Sequence, residues 1–160
     1  MHRFLRIVVL GSTVATLAPA ATLTAQATDP VIGTWQMNAA KSKWEPGPAP
    51  KTLTATFAAA GQGITVTTQG VDGDGNPVST SYTGNYDGKD YPLTGSPDYD
   101  AIVLKRINAS TVTITRKKSG KVVQTVTRVL SPDGKVLTTT TKGTDAKGRT
   151  INNVTVYDRQ

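Results

Sequence analysis

Five strand-like segments between residues 101 and 157, joined by four short turns, are the feature that most constrains the fold of this chain. The even-numbered positions of these segments are mostly apolar, which is the pattern of half-buried β-strands. Each turn carries glycine or a small polar residue in its third place, as in a three-residue hairpin loop. Such a loop pairs residues of equal parity. We therefore predict that the even-numbered residues of all five strands share one face.

The four turns define a continuous register across these strands. They are Asn108-Ala109-Ser110, Lys118-Ser119-Gly120, Pro132-Asp133-Gly134 and Ala146-Lys147-Gly148. Pairing across them places Leu104 opposite Ile114, Val112 opposite Val126, Leu130 opposite Val136, Thr140 opposite Val154, and Gln124 and Asn152 each opposite Lys142. Because every pair joins two even-numbered residues, the register is consistent over the five strands and we predict it for the whole stretch.

Five further strands are predicted upstream, at residues 31–37, 52–58, 63–69, 77–86 and 89–93. Their apolar faces coincide if Phe57 lies opposite Ile64 and Tyr82 lies opposite Val66. Ten antiparallel strands joined by short turns favour an all-β fold, a single up-and-down antiparallel β-barrel that leaves no exposed edge. A two-sheet sandwich is the alternative, and it is disfavoured because it needs crossover connections.

Residues 1–27 have the composition of a cleaved signal peptide. Basic residues precede an apolar run at positions 7–17, and Ala25-Gln26-Ala27 is a small-x-small cleavage site. The run is shorter than the roughly 20 apolar residues that span a bilayer, so we expect no stable membrane insertion. The predicted mature domain is therefore residues 28–160, exported to the periplasm or the extracellular space.

The composition of this predicted mature domain excludes several kinds of site. The chain has no cysteine, and its one histidine, His2, is lost with the signal peptide. Histidine and cysteine catalysis, disulfides and histidine-held zinc or haem are therefore excluded, and we predict no cofactor. The signal peptide also removes two arginines and no acid, which lowers the net charge from +7 to +5. This charge favours anionic ligands, whereas we expect an exported protein not to bind nucleic acid.

Gly33-Thr34-Trp35, near the start of the first predicted strand, resembles the Gly-x-Trp signature of the lipocalin and wider calycin superfamily. With Asn38, Lys41-Ser42-Lys43 and Trp44 after it, the segment is most similar to small exported bacterial lipocalin-like proteins. The resemblance implies a barrel closed at one end, where an arginine covers the signature tryptophan, and open beneath the first connection. The chain lacks the disulfides of typical lipocalins and the Arg-x-Tyr motif of fatty-acid-binding proteins, so no particular ligand is implied.

Arg106 and Arg128 are predicted to form the closed base of the barrel with Trp35. Both lie on the even face, towards the end of the barrel that holds Trp35. An arginine stacked on a tryptophan contributes about 0.5–2 kcal/mol and covers the apolar floor. Arg159 is a third candidate for this cover, although the predicted register points its side chain outward.

Polar residues on the even face near the open end form the predicted ligand site. An unpaired buried charge costs several kcal/mol, so these residues need either solvent or an anionic partner. A solvated rim is one interpretation, and a site for the acidic head of an apolar ligand is the other. Trp44 is interpreted either as a plug over the mouth or as a ligand contact. The predicted ligand-binding residues are Arg116, Gln124, Lys142, Asn152, Tyr82 and Trp44.

The leading hypothesis is an exported, non-enzymatic binding protein that holds a small apolar or amphipathic, anionic molecule in the barrel. The alternative is a filled barrel that acts through its basic surface as an inhibitor or an envelope-interaction module. Enzyme activity ranks third because only Tyr, Asp, Lys and Arg remain to carry it. The segment Asp72-Gly73-Asp74-Gly75-Asn76 imitates the start of a calcium loop, but Pro77 replaces the invariant glycine. We therefore predict a plain hairpin there and no metal.

Overall fold

The computed structural model describes residues 29–160, so the predicted signal peptide at residues 1–27 lies outside the described residues. The strands are β1 (Gly33–Met37), β2 (Thr52–Ala60), β3 (Gly63–Val71), β4 (Pro77–Gly84), β5 (Asp87–Thr94), β6 (Ala101–Arg106), β7 (Thr111–Lys118), β8 (Lys121–Leu130), β9 (Val136–Thr144) and β10 (Thr150–Arg159). One turn of 3₁₀ helix, Ala39–Lys41, follows β1. Among residues 29–160, no helix has the length and apolar character needed to cross a membrane.

Each strand pairs antiparallel with the next one in sequence, and β1 pairs with β10 to close the sheet. This arrangement confirms the predicted all-β, up-and-down barrel of ten strands and excludes the sandwich. The base of the barrel is the end that holds residues 29–33, the turns after the even-numbered strands and the C-terminus. The mouth is the opposite end, which holds the first connection, at residues 38–51, and the turns after β3, β5, β7 and β9.

Three of the predicted registers are confirmed. Leu104 faces Ile114 between β6 and β7. Thr140 faces Val154 between β9 and β10. Between β3 and β4, Tyr82 faces Val66, so the aromatic side chain enters the barrel beside an apolar neighbour.

Two registers are shifted by two residues without a change of face. Phe57 pairs with Val66 and not with Ile64. Val112 pairs with Arg128 and not with Val126, because β7 and β8 are joined by a two-residue turn and the register shifts again after Arg116. Both central residues of that turn have positive φ, +48° at Ser119 and +78° at Gly120, as a type I′ turn requires.

The turn between β8 and β9 contradicts the prediction more seriously. Leu130 faces Leu137 and not Val136, so this loop is one residue longer than the predicted Pro132–Asp133–Gly134 turn. The Ser131 hydroxyl accepts the Val136 N–H at 2.9 Å and donates to Asp133, which fixes the wider loop. One extra residue reverses the facing of every later side chain.

The prediction that even-numbered residues of β9 and β10 face inward is therefore wrong. Their inward residues are odd-numbered, and Leu137, Ile151 and Tyr157 are buried. Lys142 and Asn152 are exposed on the outer face of the barrel. Gln124 of β8 faces Gly143 and not Lys142.

Apolar side chains from strands all around the barrel fill its interior. Burial of each large side chain contributes about 1.5–3 kcal/mol relative to exposure, so this packing is the main source of stability. The largest fully buried side chains are Trp35, Ile64, Ile102, Leu104, Leu137 and Val126. Tyr82, Tyr99 and Trp44 pack against this core while partly buried.

Arg159 covers Trp35 at the base, which corrects the assignment of Arg106 and Arg128 to that role. Its guanidinium lies 4.3 Å from the ring centroid of Trp35, the residue with which it pairs between β1 and β10. The guanidinium donates hydrogen bonds to the backbone carbonyls of Gly134, Ile32 and Pro30. The Trp35 indole N–H donates to the carbonyl of Val31 at 2.8 Å. The floor is thus closed by cation–π stacking together with hydrogen bonds to carbonyl groups.

Gly33 lies where the Arg159 side chain crosses the start of β1, and this position requires glycine. We predict that Gly33→Ala lowers the free energy of unfolding by about 2–3 kcal/mol. Its φ is +134°, and an added Cβ would lie 2.9 Å from Arg159 Nη1. Gly61→Ala is the matched control, because Gly61 also has positive φ, +57°, but has open space around it. We expect the control to cost about 1–2 kcal/mol, measured by urea unfolding. Equal losses in the two variants would contradict a packing role for Gly33.

Candidate functional site

The first connection forms part of the barrel wall at the mouth. Lys43 and Val154 exchange two backbone hydrogen bonds of 2.7 Å each, which extends the edge of β10 beyond its pairing with β1. The Glu45 N–H donates to Asn153 Oδ1 at 2.8 Å, and the Asn152 N–H donates to the Glu45 carbonyl at 2.8 Å. Trp44, which lies between these two tethers, is half-buried. Its indole N–H is buried and has no acceptor among residues 29–160.

Arg116 of β7 is a half-buried cation in the mouth half of the barrel. Its guanidinium lies 4.5 Å from the ring centroid of Tyr99 and donates to Gln124 Oε1 at 2.9 Å. Gln124 is buried and donates in turn to the Thr144 carbonyl at 3.1 Å. In the described part of the chain, no carboxylate lies within ion-pair distance of Arg116.

Arg128 of β8 is a second guanidinium inside the barrel, and it is only 4% exposed. It lies 5.0 Å from the ring centroid of Phe57 and donates to the Tyr86 hydroxyl at 3.3 Å. Between residues 29 and 160 it also has no carboxylate within ion-pair distance. Two interior cations are therefore balanced only by neutral groups and aromatic faces.

The tyrosines near these arginines are neutral hydrogen-bonding groups. Burial raises the pKa of the Tyr82 hydroxyl, an effect that the positive charges of Arg128 and Arg116 partly offset. Burial likewise raises the pKa of Tyr157 to about 12, again against the influence of Arg116. Both phenols therefore stay protonated at physiological pH and are available as donors.

Asp29 and Arg106 form an ion pair at the base. Asp29 Oδ2 accepts hydrogen bonds from Arg106 and, at 2.6 Å, from the Tyr86 hydroxyl. Burial alone would raise the pKa of Asp29, but the hydrogen bonds from Tyr86, the Val31 N–H and Arg106 outweigh it and hold that pKa below its usual value. Burial, together with the hydrogen bond to Asp29, raises the pKa of Tyr86 to about 12. Arg128 reaches this carboxylate only through the Tyr86 hydroxyl.

The structure brings together some of the residues that the sequence analysis assigned to ligand binding and separates others. Arg116, Gln124 and Tyr82 face the interior, and Trp44 lies in the wall at the mouth. Lys142 and Asn152 lie on the outer face of the barrel, because the loop between β8 and β9 is one residue longer than predicted. Whether any of the six binds a ligand stays a prediction.

Sequence reasoning missed several residues of this region. Tyr157 and Asn153 were placed on the outer face by the incorrect register, although both are buried. Tyr99 lies in a loop, where the alternation of apolar and polar residues does not predict which way a side chain points. Asp29 is the second residue after the predicted signal peptide and precedes the first predicted strand, so it was not assigned to a strand. A correct register for β9 would have placed Tyr157 and Asn153 inside the barrel, whereas the alternation pattern carries no signal for Tyr99 or Asp29.

The spaces left around the base are of two sizes. A space of about 10 Å³, which is about the room for one water molecule, lies beside Arg106 and Arg128. A cleft of about 440 Å³ lies at the base between the β2–β3 turn, Tyr86 and Ala109. Buried apolar side chains fill the interior, so a ligand bound in the barrel would have to displace some of them.

The geometry indicates no metal centre in the described residues. Residues 29–160 contain no group of three or more His, Cys, Asp or Glu side chains placed to hold a metal ion. In the Asp72 loop, the Asp72 carboxylate accepts the Asn76 N–H at 2.7 Å and the Asn76 side-chain amide at 3.2 Å. The Asp72 carboxylate is thus occupied by hydrogen bonds within its own turn.

Comparisons with known proteins add little to this description. No family model matches the chain, and no curated protein matches it. Among solved structures, the zebrafish ileal bile acid-binding protein complexed with cholic acid is 14% identical, with 82% of this chain and 99% of that chain covered and a TM-score of 0.49. At this level of similarity the match carries no argument about family or ligand, and membership of the calycin superfamily stays a prediction.

We predict that Asp29→Asn lowers the free energy of unfolding at pH 7 by about 2 kcal/mol, because it removes the charge that Arg106 and Tyr86 contact. The folded-state pKa of Asp29 is lowered, so its stabilisation is complete above the unfolded value of about 3.9. This stabilisation declines as the pH falls through the folded-state pKa. Urea unfolding at stepped pH should show the two proteins converging below about pH 4.

Asp74→Asn, in an exposed turn, is the matched control for loss of one negative charge. We expect its stability to follow that of the wild type at every pH. A constant gap between Asp29→Asn and the wild type from pH 7 to pH 2.5 would contradict the ionic role of Asp29.

Proposed function

We propose that this protein is a non-enzymatic binding protein that holds a small anionic, amphipathic molecule inside its barrel. The observation that carries the proposal is the pair of interior guanidinium groups, Arg116 and Arg128, which have no carboxylate partner in the described residues. A buried charge without a counter-charge costs several kcal/mol. An anionic ligand would remove that cost, so the two arginines favour such a ligand electrostatically.

The surroundings of these arginines suit a carboxylate with an apolar body. The guanidinium fork of an arginine binds a carboxylate through two parallel hydrogen bonds. Tyr82 offers a neutral hydroxyl near both arginines. Ile114 and Val126, which face each other between β7 and β8, give an apolar wall between the two cations.

The same groups are poorly suited to catalysis. The interior tyrosines described above have raised pKa values, so they do not act as bases near neutral pH. Arginine stays protonated throughout the range in which proteins fold. These properties support binding as the role of the interior.

We predict opposite effects of Arg128→Met on stability and on binding. The free energy of unfolding of this variant, measured by urea unfolding, should be higher than that of the wild type by about 1 kcal/mol or more. The reason is that an apolar side chain replaces an unpaired buried charge. Arg128→Met and Arg116→Met should each weaken the binding of octanoate at least tenfold, about 1.4 kcal/mol, in isothermal titration calorimetry. Octanol, which is neutral, should bind the wild type much more weakly than octanoate.

Lys105→Met is the matched control, since Lys105 is exposed on the outer face of β6 and its replacement removes the same charge. Octanoate affinity should be unchanged in this variant. Equal affinities for octanoate and octanol, or an equal loss in Lys105→Met and Arg116→Met, would overturn the proposal.

A second candidate function is favoured by the dense packing of the interior. In this reading the barrel stays filled and the protein acts through its basic surface, as an inhibitor or an envelope-interaction module. Lys121, Lys142 and Lys147 are exposed near the mouth, and no acid within the described residues lies within ion-pair distance of them. Absence of octanoate binding, together with retention on anionic vesicles that disappears at high salt, would favour this function.

We further propose that the protein is exported after cleavage between Ala27 and Thr28, on the basis of the signal-peptide pattern at residues 1–27. When the full chain is produced in a bacterium with an outer membrane, the periplasmic fraction should contain a product that begins at Thr28, as measured by intact mass. A variant with both Ala25→Glu and Ala27→Glu should accumulate uncleaved, because the cleavage site needs small residues. Cytoplasmic retention of the unaltered full-length chain would contradict export.

A further inference from the structure

The loop between β5 and β6 is fastened to its two neighbours at the mouth by two acidic residues, Asp98 and Asp100, which flank Tyr99. Asp98 Oδ1 accepts the Ala146 N–H of the β9–β10 turn at 2.8 Å. Asp100 accepts the Ser119 N–H of the β7–β8 turn at 3.1 Å, and its own N–H donates to the Lys117 carbonyl at 2.9 Å. Backbone amides are the donors in both carboxylate bonds, so each side chain fixes the position of a separate turn.

Tyr99 lies between these two anchors and points into the barrel. Its ring packs against the apolar core and lies over the Arg116 guanidinium at 4.5 Å. Tyr82 and Tyr157 lie close enough to interact electrostatically with its hydroxyl. Phe57 on Arg128 and Trp35 on Arg159 belong to strands. Tyr86, which lies over Arg106 at 3.9 Å, belongs to the turn between β4 and β5, but its hydroxyl is held by the hydrogen bond to Asp29. Tyr99 belongs to a loop, so its ring can leave without any change in the sheet.

We infer that Tyr99 occupies the place of the ligand on Arg116, and that the ligand is a carboxylate carried on a single flat ring, of the benzoate class. This inference rests on the proposed function and names its ligand class. The interior is otherwise packed, so the space that becomes free is that of one phenol side chain. A flat ring with a carboxylate fills that space, restores the stack and supplies the negative charge that the phenol lacks.

The space that Tyr99 would leave favours a single-ring carboxylate over a longer alkyl carboxylate. The free space beside Arg106 and Arg128 is only about 10 Å³, so an alkyl chain has to displace more of the core than a single ring does. A single ring needs only the departure of Tyr99. Benzoate is therefore expected to bind more tightly than octanoate, and benzyl alcohol, which has the ring without the charge, is expected to bind weakly.

The test compares benzoate binding to the wild type, Tyr99→Ala and Tyr99→Phe by isothermal titration calorimetry. Tyr99→Ala should bind benzoate at least tenfold more tightly than the wild type, because the ring no longer competes for Arg116. Tyr99→Phe, which keeps the ring, should resemble the wild type. The double variant Tyr99→Ala with Arg116→Met should lose the gain. Tyr91→Ala is the control for loss of a tyrosine ring, since the Tyr91 hydroxyl bonds to Asp87 outside the arginine cluster.

Each outcome gives a decision. If the wild type binds benzoate or octanoate and Tyr99→Ala binds benzoate no more tightly, the inference is overturned while the proposed function stands. If none of these proteins binds any carboxylate in a manner that depends on Arg116, both are overturned.

Should Tyr99→Ala fail to fold, the same question is answered with the wild type labelled with ¹³C-tyrosine, using Tyr99→Phe to assign the signal. Saturating benzoate should then shift the Tyr99 ring resonance to that of an exposed tyrosine, and an unchanged resonance in the bound protein would overturn the inference.

Discussion

The seam between β1 and β10 is the contact on which the rest of the structure depends, because it turns a sheet of ten strands into a closed barrel. Three residue pairs form this ladder, from Trp35 opposite Arg159 to Met37 opposite Tyr157. An open sheet would expose its apolar face and the hydrogen-bonding groups of two edge strands. The stack of Arg159 on Trp35 lies on the same ladder. The Trp35–Arg159 pair therefore takes part in closing both the wall and the floor.

The closed barrel confines positive charge among apolar neighbours. Asp29 neutralises Arg106 at the base, and Arg128 reaches that carboxylate only through the hydroxyl of Tyr86. Arg116 is held by an amide and an aromatic ring. Apolar side chains of similar volume would make a more stable barrel at these positions. Under the proposed function, binding of an anionic ligand would offset this loss of stability.

The sequence predicts this architecture well because strand alternation and hairpin turns are local signals. The number of strands, their order and the closed form all follow from them. The facing of β9 and β10 does not, because it depends on whether Lys135 belongs to the turn or to the strand. The hydrogen bonds of Ser131 and Asp133 settle that question, and neither has a signature in the alternation pattern. Tyr99 and Asp29 lie outside regular strands, so pattern analysis gives no direction for their side chains.

The first connection is a part of the barrel wall that can open locally to solvent. The amides of Asn152 and Val154 donate to this segment, whereas the intervening amides of β10 point towards β9. A few bonds thus hold a piece of wall that can detach while all ten strands stay paired. Opening of this kind is governed by local stability and not by the global free energy of unfolding. Hydrogen exchange along β10 should then alternate, with fast amides facing the first connection and slow amides facing β9, and the fast set reports how often this piece of wall opens.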